Sequence, residues 1–451
     1  MRAFKNASTI LCLFSIVTAS IPVLAMLPWP IVLEATINNH HAYKGIILGS
    51  FSNDGTKVIT ASNDHSASVL DLTTSCVYTL RHSGVVNAAQ FNLDSDRIVT
   101  ASNDRTAAIW DVHGNRLSTL SGYDGHEDMV IVACFNSSSN YVLTIAYDET
   151  AKLWDANTGI LVRTFVFEWA IPVGCFSPNG NHIAIASEKA TKIFRTATGA
   201  NIATLEGDVL TILYSHDGKR IVTASYNNIV KVWHALNGTL IYTLSDNELS
   251  SPKFSPDDRY IVTVGTAAKI WDAATGDIIH TFHEYANAMQ SSFSPDSTRV
   301  AIGYSDNIVR VFDVVSGKSD YIIRHYDYPR CSNLRSNKIG IRDGFHSLSF
   351  SPDGKRILTV SRAKTAKVWL LPPEELLSAP TDATKKAYLE LMHEYLNEIN
   401  YMSASYDGFI NFLKNNGLGK IPAGDVAIVE EVLFTKLNQS SQHYIRMLLP
   451  K

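Results

Sequence analysis

Two histidine and aspartate combinations come closest to acid–base chemistry in this chain: His82 with Asp104, and His126 with Asp148. If each imidazole were hydrogen-bonded to its carboxylate, each pair would form half of a hydrolytic triad, the base and the acid that orients it. The third member is missing, because no nucleophile stands beside either pair in an activating context. The combination also occurs twice in equivalent places, as structural repetition would produce. Polar groups inside a sheet must be satisfied somewhere, so a structural role is expected for both pairs. Other chemistry is as thin: there is no glycine-rich phosphate loop, no paired-cysteine zinc spacing, and His393-Glu394 lacks the second histidine of a helical metalloprotease site. No catalytic residue, cofactor or metal is therefore expected.

These residues are carried by a repeat. An aromatic residue, a polar turn, a β-branched run, a second turn and a strand usually ending in Trp or Phe recur from Phe51, Phe91, Phe135, Phe176, Tyr214, Phe254, Phe293 and Phe350. The intervals are 40, 44, 41, 38, 40, 39 and 57 residues, and a period near 40 with four strands per unit is that of a propeller blade. Turns such as Asn53-Asp54-Gly55, Asp217-Gly218 and Asp353-Gly354 supply residues that tolerate positive φ or hydrogen-bond their own backbone. Six of the aromatics stand 19 residues before the end of the third strand, as Phe91 does before Trp110; the fourth repeat is one residue shorter. In the sixth, Phe254 to Trp271 is two shorter, so part of its second hairpin is expected to be lost.

With Trp110-Asp111, Trp154-Asp155 and Trp271-Asp272 in place, and Phe312-Asp313 as a conservative variant, the chain resembles the WD-repeat family over residues of about 30 to 371. The resemblance implies a β-propeller in which a histidine before the first strand, an aspartate in the second hairpin and the tryptophan form a buried hydrogen-bonded set. Two repeats match it: His82, Asp104 and Trp110, then His126, Asp148 and Trp154, with Gly125 also present. Blades four, six and eight lack the aspartate, and packing alone is expected to hold them.

A fourth strand follows each third one, tagged by Thr79-Leu80, Thr119-Leu120, Thr164-Phe165, Thr204-Leu205, Thr243-Leu244 and Thr281-Phe282, but nothing similar follows Trp369. The tag reappears upstream at Thr36-Ile37, so Val32 to Ile37 is expected to close the ring as the outer strand of the last blade and to hide an open sheet edge. Eight blades are expected; seven with an irregular extra sheet is the alternative.

Two regions break the repeat. The long seventh interval holds about 17 residues beyond a usual period and contains Tyr326, Tyr328, Arg330, Arg335, Lys338 and Arg342. In WD-repeat propellers that connection lies on a face where partners dock, so these six residues form a candidate partner-binding loop. The tail, 378–451, reads as a small α-helical region, with Tyr388, Leu391, Met392, Tyr395, Leu396 and Ile399 forming an amphipathic stripe.

The first residues differ again. Arg2 and Lys5 precede an almost wholly apolar run, Ile10 to Ala25, and 1–25 reads as a signal peptide for export to the periplasm or exterior. An uncleaved membrane anchor or a cytoplasmic chain are the alternatives. Cys76, Cys134, Cys175 and Cys331 lack the spacing of a disulfide framework and read as buried small residues or a free loop thiol. A formal net charge of −4 suggests neither nucleic acid nor an anionic membrane as partner. The sequence thus points to an all-β, eight-bladed propeller with a helical C-terminal extension, acting as a non-enzymatic scaffold for a protein partner. Two further readings are an exported enzyme working at the channel mouth, and a propeller that merely supports a partner-binding tail.

Overall fold

A computed structural model of the chain describes residues 32–38 and 45–371, apart from 168–172, 188–189, 226, 246–249, 285, 326–343 and 363–364. The expected signal segment, the helical region 378–451 and all six residues of the candidate loop lie outside the described residues. The chain divides into two compact units, 35–319 with 327–368, and 1–34 with 320–326 and 369–451.

The described residues form eight four-stranded sheets, one for each repeat. In seven the strands follow chain order; in the eighth, Val32–Asn38 takes the outer place beside Thr365–Leu370. The fold is therefore an eight-bladed β-propeller closed by an N-terminal strand, as expected. Strands are named a to d within a blade, from the innermost outwards.

Burial explains the sequence of each strand. The b strand is covered on both faces, so it reads as a continuous β-branched run: in Arg97–Ser102 and Lys57–Ser62 every residue after the first is buried. The d strand is the open edge and alternates, with Leu80, Leu120, Phe165, Leu205 and Phe282 turned inward from the tag positions. Clusters of buried residues join neighbouring blades: Val99, Ile109 and Leu120 of blade two pack with Val130, Phe135 and Trp154 of blade three.

The a–b turns lock each blade to the next. Their fourth residue is left-handed in every blade, as glycine at Gly55 (φ 71°) and Gly218 (φ 71°) but as serine or aspartate at Ser95 (φ 60°), Ser139 (φ 56°), Asp258 (φ 59°) and Ser297 (φ 63°). The non-glycine residues use their side chains on the preceding blade. Asp54 N donates to Ser95 Oγ at 3.1 Å, Asp257 N to Ser297 Oγ at 3.1 Å, and the His216 and Asp217 amides both to the Asp258 carboxylate at 2.7 Å. Arginines opening the b strands add a second latch. Arg97 lies over the Phe135 ring at 5.7 Å and donates to Ser139 O at 2.8 Å; Arg220 lies over Phe254 at 5.3 Å and donates to Asp258 O at 2.6 Å.

Blade six carries the shortened hairpin. Its b and c strands, Tyr260–Val264 and Ala268–Asp272, pair Thr263 with Lys269, whereas the equivalent Thr100 of blade two pairs with Ala108 across two more residues.

Buried polar sets, a channel cavity and an exposed rim

In blade two, His82 Nδ1 lies 2.9 Å from Asp104 Oδ2 and its Nε2 lies 2.7 Å from Thr100 Oγ1, to which Trp110 Nε1 donates at 2.8 Å. Blade three repeats this with His126, Asp148, Thr144 and Trp154 at 2.8 Å throughout. Both expected sets are thus brought together, each with a threonine that the sequence reading missed. In the tautomer with the proton on Nδ1 the donors run in one line: indole N–H to hydroxyl oxygen, hydroxyl O–H to Nε2, Nδ1–H to carboxylate. The carboxylate also accepts the Ser83 amide at 3.0 Å and the Thr106 hydroxyl at 2.6 Å. Burial alone would raise the Asp104 pKa, but the bonds from His82, Thr106 and Ser83 outweigh it and hold the group well below the usual carboxylate range.

Hydroxyl, imidazole and carboxylate therefore stand in the order of a hydrolytic triad, and the expectation that no nucleophile neighbours the pair is corrected: Thr100 does. What disables it is burial. Thr100 and Thr144 are 0% exposed, each oxygen already accepts an indole N–H, and no substrate carbonyl has a path to it.

The other blades show what the set is for. In blade four Phe167, Ile185 and Phe194 occupy the histidine, threonine and tryptophan places, with the Phe167 and Phe194 rings 6.4 Å apart edge to face, so packing does hold that blade. For blade six the expectation of packing alone is wrong, since Trp271 Nε1 still donates to Thr263 Oγ1 at 2.8 Å. Blade five keeps the same bond, Trp233 to Thr223, at 2.9 Å. His325, fully buried, meets Trp369 edge-on at 6.1 Å, as His82 meets Trp110 at 5.8 Å. The repeat pattern hid His325 because it precedes the long insertion. In blade seven Glu284 stands in the histidine place and pairs with Arg310 at 3.0 Å.

At the a–b turn end, the first unit has an open cavity of about 860 Å³ lined by Phe51, Phe91, Phe135, Phe293 and Phe350, with prolines and asparagines between them and no ionisable side chain among the lining residues. Cys134 and Cys175 are free, and burial pushes both thiols up to about 12, beyond reactivity at neutral pH. Lys253 is the charged exception among innermost-strand residues. Its Nζ donates to Ser291 O of blade seven at 2.6 Å, and burial lowers its pKa to about 8. Among the described residues no group of three or more His, Cys, Asp or Glu could hold a metal ion.

Exposed apolar side chains also stand at the other end of blade three. Tyr123 (105% exposed), Met129 (37%) and Tyr147 (49%) stand on the loop into the blade and on its b–c turn, joined by the Tyr147 amide donating to Met129 O at 3.1 Å. Asp124, Glu127, Asp128 and Glu149 belong to the same loop and turn, all exposed.

Comparison with known proteins agrees with this geometry. The family described as WD domain, G-beta repeat matches residues 74–111, 114–155, 276–313 and 338–369. The chain belongs to the WD-repeat β-propeller family. A second family, eukaryotic translation initiation factor eIF2A, matches 171–283 of this WD-repeat chain. It is 27% identical over 192 residues to Autophagy-related protein 16 of Arabidopsis thaliana, covering 40% of this chain and 34% of that protein. The WD repeat-containing protein WDS homolog of the same plant is 33% identical over 111 residues, with 22% and 21% covered. Small ribosomal subunit protein RACK1 of Caenorhabditis elegans is 27% identical, with 33% and 51% covered. The chain thus spans about a third of the first of these relatives and about a fifth of the second. Among solved structures, the C-terminal WD40 domain of Sif2 superposes with a TM-score of 0.63 at 14% identity, over 76% of this chain and 99% of that one. The computationally designed Ika8 protein gives 0.61 at 21%, over 74% and 98%. At these identities the structures speak for the fold alone.

Proposed function

We propose that this WD-repeat protein is a non-enzymatic scaffold that docks a protein partner on the rim formed by its d–a loops and b–c turns. The observation that carries this reading is the blade-three rim, where Tyr123, Met129 and Tyr147 are exposed to water. Large apolar groups held out on a rigid frame lower the entropic cost of docking, and aromatic and Met side chains are those enriched at interface centres. The carboxylates of the same loop and turn favour a partner with basic groups beside its apolar ones. Tyr326, Tyr328, Arg330, Arg335, Lys338 and Arg342 are a second proposed contact, and residues 1–25 are proposed to direct export.

Affinity capture from the native host tests this with three proteins: wild type, the double variant Tyr123→Ala/Tyr147→Ala, and the variant with Arg330, Arg335, Lys338 and Arg342 all changed to Ala. Wild type is expected to retain a specific protein that the rim variant loses, and N-terminal determination of the captured chain is expected to begin after Ala25. Equal capture by wild type and both variants would remove both surfaces from the proposal.

A further inference from the structure

The outer strand of blade three, Leu161–Val166, is an open sheet edge of unusual composition. Phe167 N donates to Glu149 O at 2.9 Å, and the pairing continues through Thr150 with Val166, Ala151 with Phe165, Lys152 with Thr164 and Leu153 with Arg163. Antiparallel hydrogen bonds fall on alternate residues, so Arg163 and Phe165 turn their backbone groups to the c strand, while Thr164 and Val166 turn theirs outward. The side chains alternate in step. Phe165 is 6% exposed, whereas Val162 and Val166 are 46% and 74% exposed, and Ile160 just before the strand is 66% exposed.

Sheet edges are ordinarily blunted by charge. At the place of Val166, blades one, four and seven carry exposed Arg81, Glu206 and Arg324, and blade two an exposed serine, Ser121. The blade-three edge has no such guard: its outward residues are β-branched and uncharged, with their backbone donors and acceptors facing solvent.

We propose that this edge is a self-association surface, where two copies of the chain pair their outer strands antiparallel about a two-fold axis at Phe165, Thr164 of one facing Val166 of the other. Self-pairing is the occupancy that the composition selects. With the axis at Phe165 the residue at this position faces the other copy's Thr164 and lies diagonal to its own equivalent, so an Arg or Glu here would bring two like charges into diagonal reach, whereas Thr164 and Val166 make the β-branched cross-strand pairs that stabilise antiparallel sheets. The contact is one strand wide, so the dimer is concentration-dependent.

Sedimentation velocity of the full chain over a concentration series tests this, comparing wild type with Val166→Lys and with Ser121→Lys, the equivalent outer position of blade two. Wild type and Ser121→Lys are expected to dimerise alike. Val166→Lys is expected to weaken the dimer by about tenfold or more, as both Thr164–Val166 pairs lose their β-branched partner and the two lysines come into diagonal reach of each other. Its thermal midpoint should not move, because Val166 is exposed. A wild type that is monomeric throughout overturns the proposal and leaves the edge to a strand from a different chain; a Val166→Lys variant that dimerises as well as wild type overturns it too.

Discussion

Thr100 and Thr144 each carry an indole on one side and an imidazole on the other, and this decides how much a blade loses when the hydroxyl goes. Thr100→Val keeps the shape but leaves Trp110 Nε1 and His82 Nε2 buried without partners, at about 1–3 kcal/mol each. Thr223→Val strands only Trp233 Nε1. Thermal midpoints should therefore fall clearly further for Thr100→Val; equal falls would mean that the histidine contributes nothing through this bond. The sequence displayed His82, Asp104 and Trp110 as one set but not the threonine, because a threonine in a b strand is unremarkable by composition. A positional signal existed: threonine precedes the tryptophan by ten residues at 100 and 110, 144 and 154, and 223 and 233. His325 was hidden for a different reason, since the insertion separates it from the strand whose blade it would mark.

Turns show how local strain is kept when a neighbour repays it. Ser95, Ser139, Asp258 and Ser297 hold a conformation that glycine adopts freely, and each touches the preceding blade. Taken alone, Asp258→Gly should stabilise by relieving a left-handed aspartate. Here it also strips the His216 and Asp217 backbone amides of the carboxylate that accepts from them, so a lower melting temperature is expected, by about 1–2 kcal/mol of net stability. A higher midpoint would show that the latch is idle. Strands and their order were legible because every blade repeats the same alternation, and the lost residues of the blade-six hairpin showed directly in the short Phe254 to Trp271 spacing. The latches were not, because they join residues about 40 apart that only the ring makes neighbours. Blade four illustrates the same limit: Phe167, Ile185 and Phe194 are ordinary apolar residues until the fold places them where other blades keep a polar set.

At the scale of the whole molecule, the polar sets of the described residues hold the sheets together. The histidine–aspartate pairs are sealed under tryptophan, the Cys134 and Cys175 thiols are pushed well above their ordinary pKa by desolvation, and the cavity at the a–b turn end is lined without ionisable groups. Among the described residues, Tyr123, Met129 and Tyr147 of blade three face water with carboxylates beside them in sequence, a property that periodicity did not announce because exposure is decided by the fold and not by the repeat. The measurement that tests this account most directly is hydrogen exchange on the full chain, free and bound to the protein it captures. Slowed exchange at 121–129 and 147–149, with the b strands unchanged, is the predicted result. Unchanged exchange at those two segments when the partner is bound would contradict the docking rim.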